Sequence, residues 1–351
     1  MKKILLLVGL VFVSAACGIG GSGTVAGVVK TVNGGADWQF YNKLAEGLSG
    51  SLNGAQISKL KFDPNNSEIV FAGSYTQGLF KSEKSGEEWK NILSKMSVYD
   101  FAVNKFDSNI MYVAGIFGDY GKALKTEDGG ASWQEIYNES SKENTVRAVA
   151  INPNNPSEII IGTNSGNIIK SFDGGLSWQL VKNFEDRVNR ILWQNNEVYV
   201  LLRLKGLYKL TGDGGDFEQL TEELTRRANF NGISLGKPKV EKFNQVFVDA
   251  LGENLIYLAT NIGIYKSTDG GASWQFVTLP VKQGESDSWA VAVSENSSNL
   301  VFTNVGSTIY KSTDGGASWQ TQSIATGGLI NYILVDPNLP QIAYAGIYVN
   351  Q

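Results

Sequence analysis

The nine residues KSTDGGASW occur twice in this chain, at 266–274 and 311–319, and weaker copies run along most of its length. KTEDGGASW ends at Trp133, KSFDGGLSW at Trp178, KSEKSGEEW at Trp89 and KTVNGGADW at Trp38, and a worn copy, KLTGDGGDF, ends at Phe217. With Trp274 and Trp319 these closing aromatics are spaced by 51, 44, 45, 39, 57 and 45 residues. A period of about 40–50 residues is the length of one four-stranded propeller blade. Seven copies therefore predict an all-β fold, a seven-bladed β-propeller.

Each copy reads as a hairpin tip. The run before it (GIYKS) and the run after it (SWQFV) alternate like half-buried strands. Between them Asp-Gly-Gly supplies the positive φ of a tight turn. The aspartates Asp128, Asp173, Asp269 and Asp314 are placed to accept hydrogen bonds from turn amides, and the tryptophan is expected to lie back over the hairpin. One such aspartate per blade spreads around a ring instead of gathering at a catalytic or metal site.

Two further strand-like runs precede most copies, as in ISKLKFDPNNSEIVFAGS and VRAVAINPNNPSEIIIGT, joined by Asp-Pro-Asn-Asn-type turn chemistry. The copy at Trp38 lacks such a pair, while the chain ends on an orphan pair, 330–335 and 341–349. The economical reading is one shared blade, in which the C-terminal pair completes the N-terminal hairpin and no sheet edge is left open at the seam.

The pattern Ser/Thr-x-Asp-x-Gly-x-x-Trp resembles the Asp-box, or BNR repeat, of sialidases, sortilin-type receptors, exo-xyloglucanases and photosystem II assembly factors. The resemblance covers residues 27–351 and implies the fold, whereas the activities of those families are unrelated.

The start, MKKILLLVGLVFVSAAC, has a basic end, an apolar core and small residues before the sole cysteine, and reads as an export signal over 1–16. Cys17 after Ser-Ala-Ala resembles a lipobox cysteine. That implies a lipid anchor on the extracytoplasmic side of a bacterial membrane, followed by a tether over 17–26. The alternative is a soluble secreted protein. The layout of an anchored single propeller looks like that of the photosystem II assembly factors. That resemblance implies a scaffold for a protein partner or membrane complex, using an arginine-bearing patch.

Histidine is absent, and with Cys17 committed to the tether neither imidazole nor thiol chemistry is available. No cofactor or metal is expected. Of the six arginines (Arg147, Arg187, Arg190, Arg203, Arg226 and Arg227), none lies in the Arg-Ile-Pro signature that sialidases carry near the N-terminus. Carboxylate chemistry stays open, so a carbohydrate-binding or glycoside-hydrolase propeller is the alternative function, with a glycan as ligand. A net charge of −4 argues against a nucleic-acid partner.

Aligning the first strands of the blades pairs apolar positions (Leu60/Phe62, Phe101/Val103, Val149/Ile151, Ile191/Trp193, Ile333/Val335) that should pack between blades. The preceding positions read Ser58, Tyr99, Arg147, Asn189, Val246, Trp289 and Asn331, a mixed set where each strand enters the ring. Trp289 is the one tryptophan with no structural slot. Arg147, Arg187 and Arg190 lie at the entrances of two neighbouring blades, and Glu285 and Asp287 precede Trp289. Tyr99, Arg147, Arg187, Arg190, Trp289 and Asn331 are thus the candidate partner-binding residues of the rim. In the alternative reading Trp289 packs on its neighbour, and the arginines pair with Glu185 and Asp186. Residues 220–244 form a basic insert that accounts for the 57-residue spacing and could begin with a short helix.

Overall fold

The structure is a computed structural model. It describes residues 25–349 apart from 49–50, 195, 212–214, 226–228, 231–232, 235–238, 250–253 and 283–285. The expected signal, the tether up to residue 24, Cys17, Arg226, Arg227 and Glu285 lie outside the described residues.

Seven four-stranded antiparallel sheets form the ring, and in six of them the strand order follows the sequence from the axis outwards. We number these blades by their first strands: blade 1 from Ile57–Asp63, blade 2 from Met96–Val103, blade 3 from Val146–Ile151, blade 4 from Val188–Gln194, blade 5 from Phe243–Val248 and blade 6 from Val291–Ser294. Blade 7 is the shared one. Its inner strands are C-terminal, Leu329–Val335 and Ala343–Tyr348, and its outer strands are N-terminal, Gly27–Thr31 and Gln39–Phe40. Val29 pairs with Ala345 and Thr31 with Ala343, so the two ends of the chain share a continuous ladder. The expected closure is what the sheet order shows.

The core lies between the blades. Seven buried apolar clusters occur, one at each blade–blade interface: Leu60, Trp89 and Tyr344 meet between blades 7 and 1, for example, and Ile160, Ile191 and Val200 between blades 3 and 4. This division explains the sequence pattern, because the inner strands are packed on both faces and are mostly apolar, whereas outer strands such as Gln320–Ser323 are exposed and polar.

The repeated hairpin shows why its residues recur. In blade 3 the Ser171 hydroxyl donates to Asp173 and accepts the Gly175 amide at 2.8 Å. Asp173 in turn accepts the Ser177 amide and hydroxyl at 2.9 and 2.5 Å. Gly175 has φ +97°, and a Cβ there would come within 2.9 Å of Ile136 on the preceding blade. The tryptophan does more than cover its own hairpin. Trp178 donates its indole N–H to the Ile136 carbonyl at 2.8 Å, tying blade 3 to blade 2. Trp89, Trp133, Trp274 and Trp319 make the same tie to Tyr41, Ile92, Leu220 and Thr278. At the closing blade Asn33 replaces the aspartate, and the Trp38 indole N–H is buried without an acceptor.

The basic insert opens with a single helical turn, Glu222–Thr225, and contains a small ladder between Asn229–Phe230 and Ile233–Ser234. Buried Val240 then joins the interface between blades 4 and 5.

Candidate functional site at the mouth of the ring

At the end of the ring opposite the repeated hairpins, the first strands begin irregularly. In six blades the pairing register slips by one residue, skipping Ser58, Tyr99, Arg147, Asn189, Asn244 and Asn331. A bulge breaks the two-residue alternation and re-aims the extra side chain, here away from the blade interface. Blade 6 has no such slip at this point. Instead the Asn304 side chain accepts the amides of Trp289 and Ala290 at 3.3 and 2.9 Å, holding Trp289 at the matching place.

Five of the six bulged residues and Trp289 line a shared cup, together with Tyr75, Arg187, Arg190 and Arg203; its volume is about 50 Å³. Tyr99, Arg147, Arg187, Arg190, Trp289 and Asn331, singled out from the sequence, are therefore brought together. Ser58 is fully buried beside them. Val246 is a correction: it is 5% exposed in the core between blades 4 and 5, and Asn244 takes the place assigned to it. The insert just upstream hid the true start of that strand and shifted the alignment by two. Arg203 and Tyr75 were missed as well. Each is the first residue after its blade's second strand, so the mouth loops, had they been aligned like the first strands, would have shown them.

The four arginines reach the cup without carboxylate partners. Among the described residues every salt bridge is made by a lysine. The expected pairing with Asp186 is not made, because that side chain accepts the Leu204 and Lys205 amides at 2.7 and 2.8 Å. Arg147 lies over the Tyr99 ring at 4.0 Å. Arg187 donates Nε to Asn189 Oδ1 at 2.9 Å, and Arg203 donates to Asn244 Oδ1 at 2.6 Å while sitting 5.8 Å over Trp289. Arg190 crosses the mouth from blade 4 to the Ser58 carbonyl of blade 1 at 3.4 Å, forming the floor of the cup.

Electrostatics follow from this arrangement. Burial, with Arg147 and Arg203 close by, depresses the Arg187 guanidinium to about 10. Burial also lowers Arg147 and Arg203. Asp287 lies near enough to favour the charged form of Arg203, but its Oδ1 accepts from Asn244 at 3.0 Å. Among the described residues no acidic side chain lines the cup. The result is a concentrated positive potential on a chain of net negative charge, flanked by an aromatic arc in which Tyr75 meets Tyr99 at 5.2 Å and Tyr348 at 5.8 Å. Such a site attracts anions and can hold planar oxyanions through guanidinium forks.

The protein is thus a seven-bladed β-propeller with a cationic, aromatic-rimmed mouth. No family model and no curated protein matches the sequence. Solved structures do share the fold. A GH74 xyloglucanase from Xanthomonas campestris superposes with a TM-score of 0.67 at 14% identity, over 84% of this chain and 51% of that one. YCF48 bound to a D1 peptide gives a TM-score of 0.62 at 18% identity, over 85% and 93%. YCF48 from Cyanidioschyzon merolae gives 0.61 at 12%, over 83% and 95%. The chain spans about half the length of the xyloglucanase and nearly the whole of the YCF48 structures.

Proposed function

We propose that this chain is a non-enzymatic binding propeller that docks a protein partner, in the setting of a membrane complex, on its arginine-bearing mouth. The carrying observation is the group of four guanidiniums without carboxylates, set among Trp289, Tyr75 and Tyr99. Arginine and large aromatics are the side chains that dominate protein interfaces, and a partner presenting acidic groups would complement the charge. The likeness in length and fold to YCF48, whose structure holds a bound D1 peptide, supports a protein ligand. The N-terminal sequence supports export and lipid attachment at Cys17, which would hold the mouth near membrane partners.

A carbohydrate role is the second reading, favoured by the fold shared with the xyloglucanase and by the half-buried Trp289. Against hydrolysis, the described residues lining the cup include no carboxylate pair of the kind glycosidases use. The test is a pull-down from solubilised native membranes with the wild type and an Arg147→Ala/Arg187→Ala/Arg190→Ala variant, screening both proteins and glycans. A membrane protein captured only by the wild type supports docking at the mouth. Glycan recovery that survives the arginine changes would replace this reading with the second.

A further inference from the structure

The cup has more donors than the protein gives it acceptors. A guanidinium carries five N–H groups. Among the described residues Arg187 and Arg203 each spend one on a side-chain oxygen, and Arg190 spends two at 3.2 and 3.4 Å on backbone carbonyls. Arg190 Nε is buried with no hydrogen-bond partner, and so is the hydroxyl of Ser58 beneath it. The asparagines meet only part of this: Asn189 and Asn244 each accept one guanidinium N–H through Oδ1, while their amide groups, like that of Asn331, donate to backbone carbonyls.

Several like charges in a partly desolvated space repel one another, and buried polar atoms without partners carry a desolvation cost. The repulsion is relieved by one bound anion. Size narrows the choice. A water needs about 10–15 Å³ of such a cavity, so 50 Å³ holds the equivalent of a few waters. That is room for one small oxyanion. The several forks facing a single space favour an ion with multiple acceptor oxygens over a halide.

We infer that the mouth is a discrete oxyanion site, filled in the free protein by one inorganic oxyanion of the phosphate or sulfate class. The ion bridges the arginines of blades 3 and 4 above the Arg190 floor. This rests on the mouth's geometry and deepens the docking proposal: an acidic group of the partner enters by displacing the ion, and docking is an anion exchange.

The probe is inorganic phosphate, titrated into the wild-type protein at constant ionic strength set with sodium chloride. The expected result is a saturable rise in melting temperature, with at least tenfold weaker apparent affinity in an Arg187→Ala/Arg203→Ala variant. A rise that does not saturate, or one equal in the variant, is a general salt effect and overturns the site. A second measurement needs no variant. Phenylglyoxal labelling of the wild type, read by peptide mass spectrometry, should slow severalfold at Arg147, Arg187 and Arg203 with phosphate present; unchanged labelling overturns the proposal. If phosphate binds while the arginine variant still captures its partner, the docking reading fails and the oxyanion site stands. If phosphate fails while capture still depends on the arginines, the reverse holds.

Discussion

The guanidinium of Arg147 lies 4.0 Å from the ring centroid of Tyr99, the residue bulged at the same position one blade earlier. Their contact supports a buried cation with a neutral ring instead of a carboxylate, so the charge is held in place but left uncompensated. A cation–π contact of this kind is worth about 0.5–2 kcal/mol. Tyr99→Leu is expected to lower stability by about 1 kcal/mol in urea denaturation, with Tyr99→Phe close to wild type. Equal losses in the two variants would show that the hydroxyl, and not the ring face, supports Arg147.

Arg187 stands at the centre of the repulsion. Its depressed value, about 10, means that the folded state disfavours the charged guanidinium. Arg187→Met removes the charge and keeps much of the stem. After discounting for solvent screening, it should stabilise the protein by about 1 kcal/mol in buffer free of phosphate and sulfate, while weakening partner capture. The check is the urea midpoint beside the pull-down; a variant less stable than wild type contradicts the strain assigned to this residue.

The indole ties between blades differ in a way that substitution can read. Trp178 donates to Ile136, whereas Trp38 finds no acceptor. Trp178→Phe loses a bond worth about 1 kcal/mol beyond its packing loss. Trp38→Phe loses packing alone and removes a buried unsatisfied donor. Chemical denaturation should therefore rank Trp178→Phe as the more costly change, and the opposite ranking would refute the assignment of Trp38 as an indole without an acceptor.

Acid should loosen the hairpins. Asp128, Asp173, Asp269 and Asp314 are each held at about 2, chiefly by the serine hydroxyl four residues on, helped by turn amides and the preceding Ser or Thr hydroxyl. A carboxylate depressed in the folded state stabilises it above the unfolded value near 4, and that contribution is lost as pH falls towards 2. Melting temperature followed from pH 5 to pH 2 should fall more steeply for the wild type than for the variant with all four changed to Asn. Parallel curves would remove these aspartates from the acid response.

The fold was legible because it is periodic: seven hairpin tips and an orphan strand pair dictated the number of blades and the manner of closure. The rim was legible in part. Tyr99, Arg147, Trp289 and Asn331 each stand two residues before a core position of their first strand (Phe101, Val149, Val291 and Ile333), so alignment of the strands found them together. Asn244 escaped because the insert beside it hides the start of its strand and moves the alignment by two residues, onto Val246. Arg203 escaped because it belongs to a different turn and reaches the cup through its long side chain. The missing acid pairing was not readable at all: Asp186 is adjacent to Arg187 in sequence but is used by backbone amides two turns of chain away.

The central claim, that a protein partner sits on the mouth, is tested most directly by photo-crosslinking in native membranes. A photoreactive residue replacing Asp287, exposed at the rim beside Asn244 and Trp289, is compared with one replacing Leu176, which is 83% exposed on a hairpin tip at the opposite end of the ring. The account predicts a discrete protein adduct from position 287, absent from position 176 and abolished by Arg147→Ala/Arg187→Ala/Arg190→Ala. An adduct from position 176 alone, or one from 287 that ignores the arginines, would contradict it.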